Sequence, residues 1–331
     1  MEAAKNEAFE DFQHVDITPV REIEQDVLTE VSRVIVGYGD ILQNLFISLL
    51  VNGHIYLEGV PGLAKSVMAK TFAKTLGCTF RRIQFTPDLL PSDITGSMIY
   101  DQKVADFVVR KGPLFANFVL ADEINRCAPK TQAAMLEAMA EKQTTIEGTS
   151  YPMMVPFICV ATANPIEQEG TYSSSVDYDF ENYNLTNVEP LPEAQLDRFL
   201  FKLWLDYPDP ENETEIMRRQ LEGEMPEVEA ITDPEELVEM QDIVNHVYID
   251  EVILNYIRDL VQKTRTDPQI LMGAGPRASL VLMKCSKARA AILGRSYVTP
   301  DDIRDLLVPT LNHRLMLKPE MKNGITIFTG C

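Results

Sequence analysis

The stretch Gly59-Val60-Pro61-Gly62-Leu63-Ala64-Lys65-Ser66 combines residue types that bind phosphate. It follows the apolar run His54-Ile55-Tyr56-Leu57 and opens, at Val67, into a helix-forming segment. A strand, a glycine-rich turn and a helix in that order aim backbone N–H groups and a helix N-terminus at one point, which suits an anion. Lys65 can neutralise outer phosphate oxygens, and the Ser66 hydroxyl can ligate Mg²⁺. The usual pattern has Gly before the Lys. Ala64 stands there, and the expectation is a helical backbone that Ala tolerates.

A second motif supplies acids. Asn117-Phe118-Val119-Leu120-Ala121-Asp122-Glu123 is an apolar strand that ends in two carboxylates. The first acid can hold a metal's water shell, and the second can polarise an attacking water. Acidic pairs at strand ends are also common as solvated groups, but one that closes a buried strand downstream of a Lys-Ser loop points to nucleotide hydrolysis. The expected ligands are therefore ATP, contacted by residues Gly59 to Val67 and Asp122, and Mg²⁺, held by Ser66 and Asp122.

Three further positions carry less specific signals. Val160-Ala161-Thr162-Ala163-Asn164-Pro165 is a strand ending in a lone amide. Asn164 can orient water or can simply cap a turn before a proline. In Leu196-Asp197-Arg198-Phe199, Arg198 can reach a neighbour's γ-phosphate as an arginine finger, or can be one half of a surface ion pair. Gly273-Ala274-Gly275-Pro276-Arg277 puts Arg277 in the first turn of a helix, where a cation opposes the helix dipole and invites an anionic partner.

These positions must be held by a large fold. The chain has 331 residues, 45% of them hydrophobic, enough for two domains and a sizeable core. The longest apolar runs are broken by polar residues and are too short to span a bilayer. Met1-Glu2-Ala3-Ala4-Lys5-Asn6-Glu7 is polar and acidic, unlike a signal peptide. Five scattered cysteines without a CxxC pair suit a reducing cytoplasm. The net charge of −20 disfavours a nucleic-acid motor, because such a field repels phosphate backbones.

Residues 1–30 read as an amphipathic leader helix. Strands are expected at 54–58, 80–85, 117–121, 157–162 and 199–204, and helices at 39–51, 65–76, 129–140 and 193–197. That alternation predicts an α/β domain with a mostly parallel sheet. Hairpins are expected over 96–107, turning at 101–103, and over 144–153, turning at 147–150. Asp206-Tyr207-Pro208-Asp209-Pro210 is a stiff break. Beyond it helices are expected at 211–222, 234–245, 249–265, 277–293 and 300–307, with Asp233 and Thr299 as caps. The division is an α/β domain over 1–205 and a smaller all-helical domain over 206–331.

As an ordered set, these motifs resemble the MoxR family of AAA+ ATPases, from about Val34 to Leu315. The resemblance rests on Leu57-Glu58-Gly59-Val60-Pro61-Gly62-Leu63-Ala64-Lys65-Ser66, Ala121-Asp122-Glu123-Ile124-Asn125-Arg126, Ala161-Thr162-Ala163-Asn164-Pro165, Pro192-Glu193-Ala194-Gln195-Leu196-Asp197-Arg198-Phe199 and Gly275-Pro276-Arg277-Ala278. It implies a three-layer αβα nucleotide-binding domain with a helical lid. Lys65 and Ser66 become Walker A, Asp122 and Glu123 Walker B, Asn164 sensor 1, Arg198 the finger and Arg277 sensor 2. The hairpins look like the helix-2 insert and the pre-sensor-1 hairpin, which face a central pore. The family further implies a hexameric ring, a chaperone-like remodelling role and protein partners that carry a von Willebrand factor A domain. A magnesium-chelatase-like motor and a nucleotide-gated scaffold are the alternatives. Residues 173–189 depart from the family pattern. This acidic, aromatic insertion reads either as a surface loop or as a partner-docking or gating segment.

Overall fold

The computed structural model describes residues 15–60, 62–163, 191–223 and 226–318. Two helices, α1 (Thr18–Ser32) and α2 (Gly39–Leu50), lead into β1 (Ile55–Gly59), α3 (Lys65–Thr75) and β2 (Phe80–Gln84). A short helix, α4 (Pro91–Thr95), precedes the hairpin β3 (Gly96–Asp101) and β4 (Asp106–Lys111). Then come β5 (Phe118–Asp122), α5 (Pro129–Glu141), the hairpin β6 (Gln143–Ile146) and β7 (Thr149–Pro152), β8 (Ile158–Ala163), α6 (Glu193–Leu196) and β9 (Phe201–Leu205). The remainder is α7 (Pro210–Glu222), α8 (Pro234–Asn245), α9 (Glu251–Thr266), β10 (Ile270–Met272), α10 (Pro276–Ile292), α11 (Pro300–Leu311) and β11 (Met316–Leu317).

The five long-range strands form one parallel sheet in the order β2-β5-β8-β1-β9. β5 and β8 are buried along their whole length, as expected where helices cover both faces of a parallel sheet. Alternate residues serve opposite cores. Phe118 and Leu120 pack with Phe46, Phe72 and Val160, while Val119 and Ala121 pack with Met135, Met139 and Phe157. The first core continues through Leu237, Ala278 and Leu282 into the C-terminal helices. The strand order brings the carboxyl ends of β5, β8 and β1 side by side, the usual ligand crevice of such sheets.

All five expected sheet strands form within two residues of their predicted limits. The leader helix is described from Thr18, and it buries Val20, Val27 and Val31. Residues 173–189 lie outside the described residues. The β6–β7 turn is tighter than expected. Glu147 (φ 47) and Gly148 (φ 80) alone form it, with positive φ at both positions, the primed geometry that matches strand twist. The C-terminal part is not wholly helical, because β10 and β11 pair antiparallel. Strands this short leave no periodic trace in a sequence. Asp233 caps α8 as expected, accepting from the N–H groups of Glu235 and Glu236. Thr299 caps α11 as expected, in a capping box whose other half is the Asp302 carboxylate accepting from the Thr299 N–H at 2.8 Å. α11 also runs through Pro309 to Leu311, past its expected end.

At the amino end of β1, buried His54 ties three elements together. Its Nδ1 accepts from the Cys159 N–H at 3.0 Å, so the proton sits on Nε2, 3.1 Å from Met139 O. Lys142 Nζ lies 3.0 Å from that same Nε2. Burial pushes the Lys142 amine down to about 8. Between about 8 and 10.5 the unfolded chain holds a proton on Lys142 that the folded chain has released, so this residue makes stability rise with pH across that window. Buried Cys159 and Tyr56, whose proton loss is displaced upward, work in the opposite sense. The wild-type minus Lys142→Gln difference in unfolding free energy isolates the lysine. It should grow in favour of wild type as pH rises through the window, measured from urea midpoints on either side of it.

Candidate functional site

The phosphate-loop residues occupy the carboxyl end of β1. Gly59 has no room for a side chain, because a Cβ there would come within 2.5 Å of Leu205 O on β9. Gly62 takes φ +88 with open space around it. α3 starts at Lys65 with no side chain capping its amino end, so its first N–H groups remain to meet an anion. Lys65 Nζ donates to Gly59 O at 2.6 Å and Ala163 O at 3.2 Å. Pro61 and Asn164 lie outside the described residues.

Ala64 corrects the expectation for its backbone. It sits at φ 52, ψ 24, in the left-handed region, where a Cβ costs roughly 1–2 kcal/mol. The usual Gly of the pattern has a conformational reason, and this chain carries strain in its place.

The two acids sit beside the loop at the end of β5. Asp122 is buried, and its Oδ1 accepts from Thr162 Oγ1 at 2.5 Å. Its Oδ2 accepts from Arg82 Nε at 2.9 Å, Arg82 Nη2 at 2.6 Å and Ser66 Oγ at 3.3 Å. Glu123 follows in left-handed backbone (φ 57), with its N–H donating to Thr162 Oγ1 at 3.0 Å. The Glu123 carboxylate accepts from Gln84 Nε2 at 2.7 Å and Arg126 Nη1 at 3.0 Å. Ser66 and Asp122 are thus already in contact and form a hard oxygen pair of the kind Mg²⁺ takes. Sequence reading missed Arg82, Gln84 and Thr162 as partners of these acids. The available signal was polar residues two apart on strands otherwise meant for burial, which places Arg82 and Gln84 on one side of β2.

Arg198 and Arg277 are elsewhere. The Leu200 N–H donates to His54 O at 2.7 Å, so β9 starts level with the amino end of β1. Arg198 Nη1 donates to Leu136 O at 2.7 Å. Arg277 Nη1 lies 3.8 Å from Asp197 Oδ2, and Arg314 Nε donates to Asp197 Oδ1 at 2.9 Å. A five-residue strand separates that end of the sheet from the phosphate loop, about 15 Å at a strand's rise per residue. The structure therefore holds Arg198 and Arg277 at the same end of the sheet, away from the chain's own loop.

Comparison with known proteins gives the family of the chain. The family described as "ATPase family associated with various cellular activities (AAA)" matches residues 54–178, and an AAA lid domain matches residues 262–327. "Chaperone MoxR1" of Mycobacterium tuberculosis is 42% identical over 297 residues, covering 87% of this chain and 74% of that protein. The chain belongs to the MoxR family of AAA+ ATPases. A Bacillus subtilis relative, "Uncharacterized protein YeaC", is 46% identical over 293 residues, covering 88% of this chain and 86% of its own. A crystal structure from Cytophaga hutchinsonii superposes with a TM-score of 0.82 at 42% identity, covering 98% and 94% of the two chains. This MoxR-family chain is an ATPase with an AAA domain and a lid. Its phosphate loop can cradle a nucleotide, and its two strand-end acids are spaced to serve a metal and a water.

The strained loop residue gives a direct test. Ala64→Gly in this MoxR-family ATPase relieves the left-handed strain and adds unfolded-state entropy, for a net gain of up to about 1 kcal/mol. Urea unfolding should show a raised midpoint. A lowered one would mean that the loop does not hold Ala64 left-handed.

Proposed function

We propose that this MoxR-family ATPase works as a hexameric ring whose Mg²⁺-dependent hydrolysis of ATP remodels a protein partner. In this reading each nucleotide lies in one subunit's phosphate loop and meets Arg198 and Arg277 of the next. The observation that carries it is the separation of those arginines from their own loop, with both held at the Asp197 end of the sheet. A guanidinium that cannot reach its own γ-phosphate can still stabilise transferring charge across a subunit junction.

The roles within one subunit follow from the contacts. Lys65 swings from the Gly59 and Ala163 carbonyls to the outer phosphates. Ser66 and Asp122 hold Mg²⁺, which neutralises phosphate charge when bound. Glu123, released from Gln84 and Arg126, takes the proton of the attacking water. Asn164 orients that water. Residues 1–205 form the nucleotide-binding domain and 206–331 the lid, which hydrolysis moves against each other.

Support for a protein partner comes from the β3–β4 hairpin. Met98, Ile99, Tyr100, Val104 and Phe107 are all exposed on it, with the Tyr100 and Phe107 rings edge to face at 5.5 Å. Exposed apolar clusters mark contact surfaces. The chaperone name of a relative agrees with this use, and a protein with a von Willebrand factor A domain is the partner class we assign. The insertion at 173–189 is the candidate segment for docking it. We place the ring in the cytoplasm; among the described residues no helix is long and apolar enough to cross a membrane. A chelatase-like motor would differ in the partner captured, and a scaffold in its lack of turnover.

Two experiments test the reading. Lys65→Ala should lose ATP affinity in calorimetry, while Glu123→Gln should bind ATP normally and hydrolyse it slower by on the order of 10² in single turnover. Unchanged turnover would make Glu123 a surface acid. Arg198→Ala should keep nucleotide affinity and lose hydrolysis in assembled rings. Mixing it with Lys65→Ala should then recover part of the activity, since each supplies what the other lacks. No recovery, with assembly verified by scattering, would count against an interface role.

A further inference from the structure

Arg314 has no part in the roles assigned above, yet it grips the segment that carries Arg198. It belongs to the lid, in the turn after α11. Its side chain is 2% exposed, and a buried guanidinium is costly unless its five N–H groups are met. Here each has an acceptor. Nε donates to Asp197 Oδ1 at 2.9 Å. Nη1 donates to Leu200 O at 3.2 Å and to Thr310 O. Nη2 donates to Asp197 O at 3.3 Å and to Phe199 O at 2.6 Å. All these acceptors except Thr310 O lie between Asp197 and Leu200, and the Nη2 pair takes the carbonyls on both sides of Arg198. The two preceding residues extend the grip. His313 Nε2 lies 3.2 Å from Phe199 O, and Asn312 Nδ2 donates to Lys202 O at 3.0 Å.

We infer that Arg314 is the positioning residue for Arg198 and Arg277. From the lid it sets the backbone that carries one and the carboxylate that aims the other at a neighbouring subunit's nucleotide. The inference rests on the ring reading, in which both arginines act across a subunit junction. The carbonyls on either side of Arg198 are bonded to one planar fork, so the Arg198 side chain starts from a fixed origin. Asp197 divides its carboxylate. Oδ1 takes Arg314, which leaves Oδ2 facing Arg277 Nη1 at 3.8 Å. Arg277 is half exposed, and a long exposed side chain spreads over many rotamers unless a fixed partner holds it. Arg314 fixes that partner. Stabilising a transferring phosphoryl group depends on placement, and an error of about 1 Å can cost on the order of 10²-fold. Lysine cannot do the work of Arg314, because an ammonium offers three donors in place of five and no planar fork.

The test mixes full-length subunits in assembled rings. Arg314→Lys should keep nucleotide affinity in calorimetry and lower the kcat of assembled rings by roughly ten- to a hundredfold. Mixed with Lys65→Ala it should regain part of the lost activity, because its own phosphate loop is intact and the Lys65→Ala subunits supply well-placed arginines. Mixed with Arg198→Ala it should regain none, because both variants damage the same half of the site. Asp197→Asn leaves the carbonyl bonds of Arg314 in place. It should fall in the same group with a smaller loss, and it carries the test if Arg314→Lys does not fold. Recovery with Arg198→Ala, or an unchanged kcat in both variants, overturns the inference. So does a failure to recover with Lys65→Ala where Arg198→Ala recovers with it, since that marks a subunit damaged throughout. If Arg198→Ala itself does not recover with Lys65→Ala in assembled rings, the ring reading fails and the role of Arg314 falls with it.

Discussion

A single buried carboxylate organises this protein. Asp122 ends a strand that is apolar along its length, and its charge is tolerable there only because donors arrive from three other elements. Thr162 comes from β8, Arg82 from β2 and Ser66 from α3. Those bonds tie the edge strand, the central strands and the helix under the phosphate loop to one point. Removing any one donor leaves part of that charge uncompensated, so sheet order and site geometry are not separable problems here.

The same sheet has a second organised end. His54 accepts from Cys159 on β8, and its carbonyl accepts from Leu200 ahead of β9. Asp197 gathers Arg314 and Arg277 just before Arg198. The phosphate loop with its two acids and the Asp197–Arg277 pair thus lie at opposite ends of strands about five residues long. In the ring proposed above, the arginines of one subunit complete the site of the next.

The phosphate loop and the acid pair both use uncommon backbone. Ala64 and Glu123 are left-handed, one ahead of the phosphate-loop lysine and the other at the second strand-end acid. A left-handed residue turns its neighbours out of the preceding strand direction, which is how Lys65 and the Glu123 carboxylate come to face one crevice. Strain of about 1–2 kcal/mol at each position is held by the buried network on either side.

Sequence by itself determined the elements and the motif-bearing ends. Asn117 to Glu123 and Val160 to Asn164 read as buried strands because parallel strands covered on both faces are continuous apolar runs. Lys65, Ser66, Asp122 and Glu123 were legible as a set because their spacing is local to a strand-turn-helix and a strand end. Tertiary structure alone decided what meets them. Arg82 and Gln84 reach the acids because β2 lies beside β5, and Arg277 reaches Asp197 because α10 folds back onto the start of β9. Neither neighbour relation leaves a periodic mark, since contacts between residues forty or eighty positions apart depend on strand order and packing rather than on spacing. Ala64 belongs with them. Its residue type favours the right-handed helix, and only the loop closing between β1 and α3 forces it left-handed.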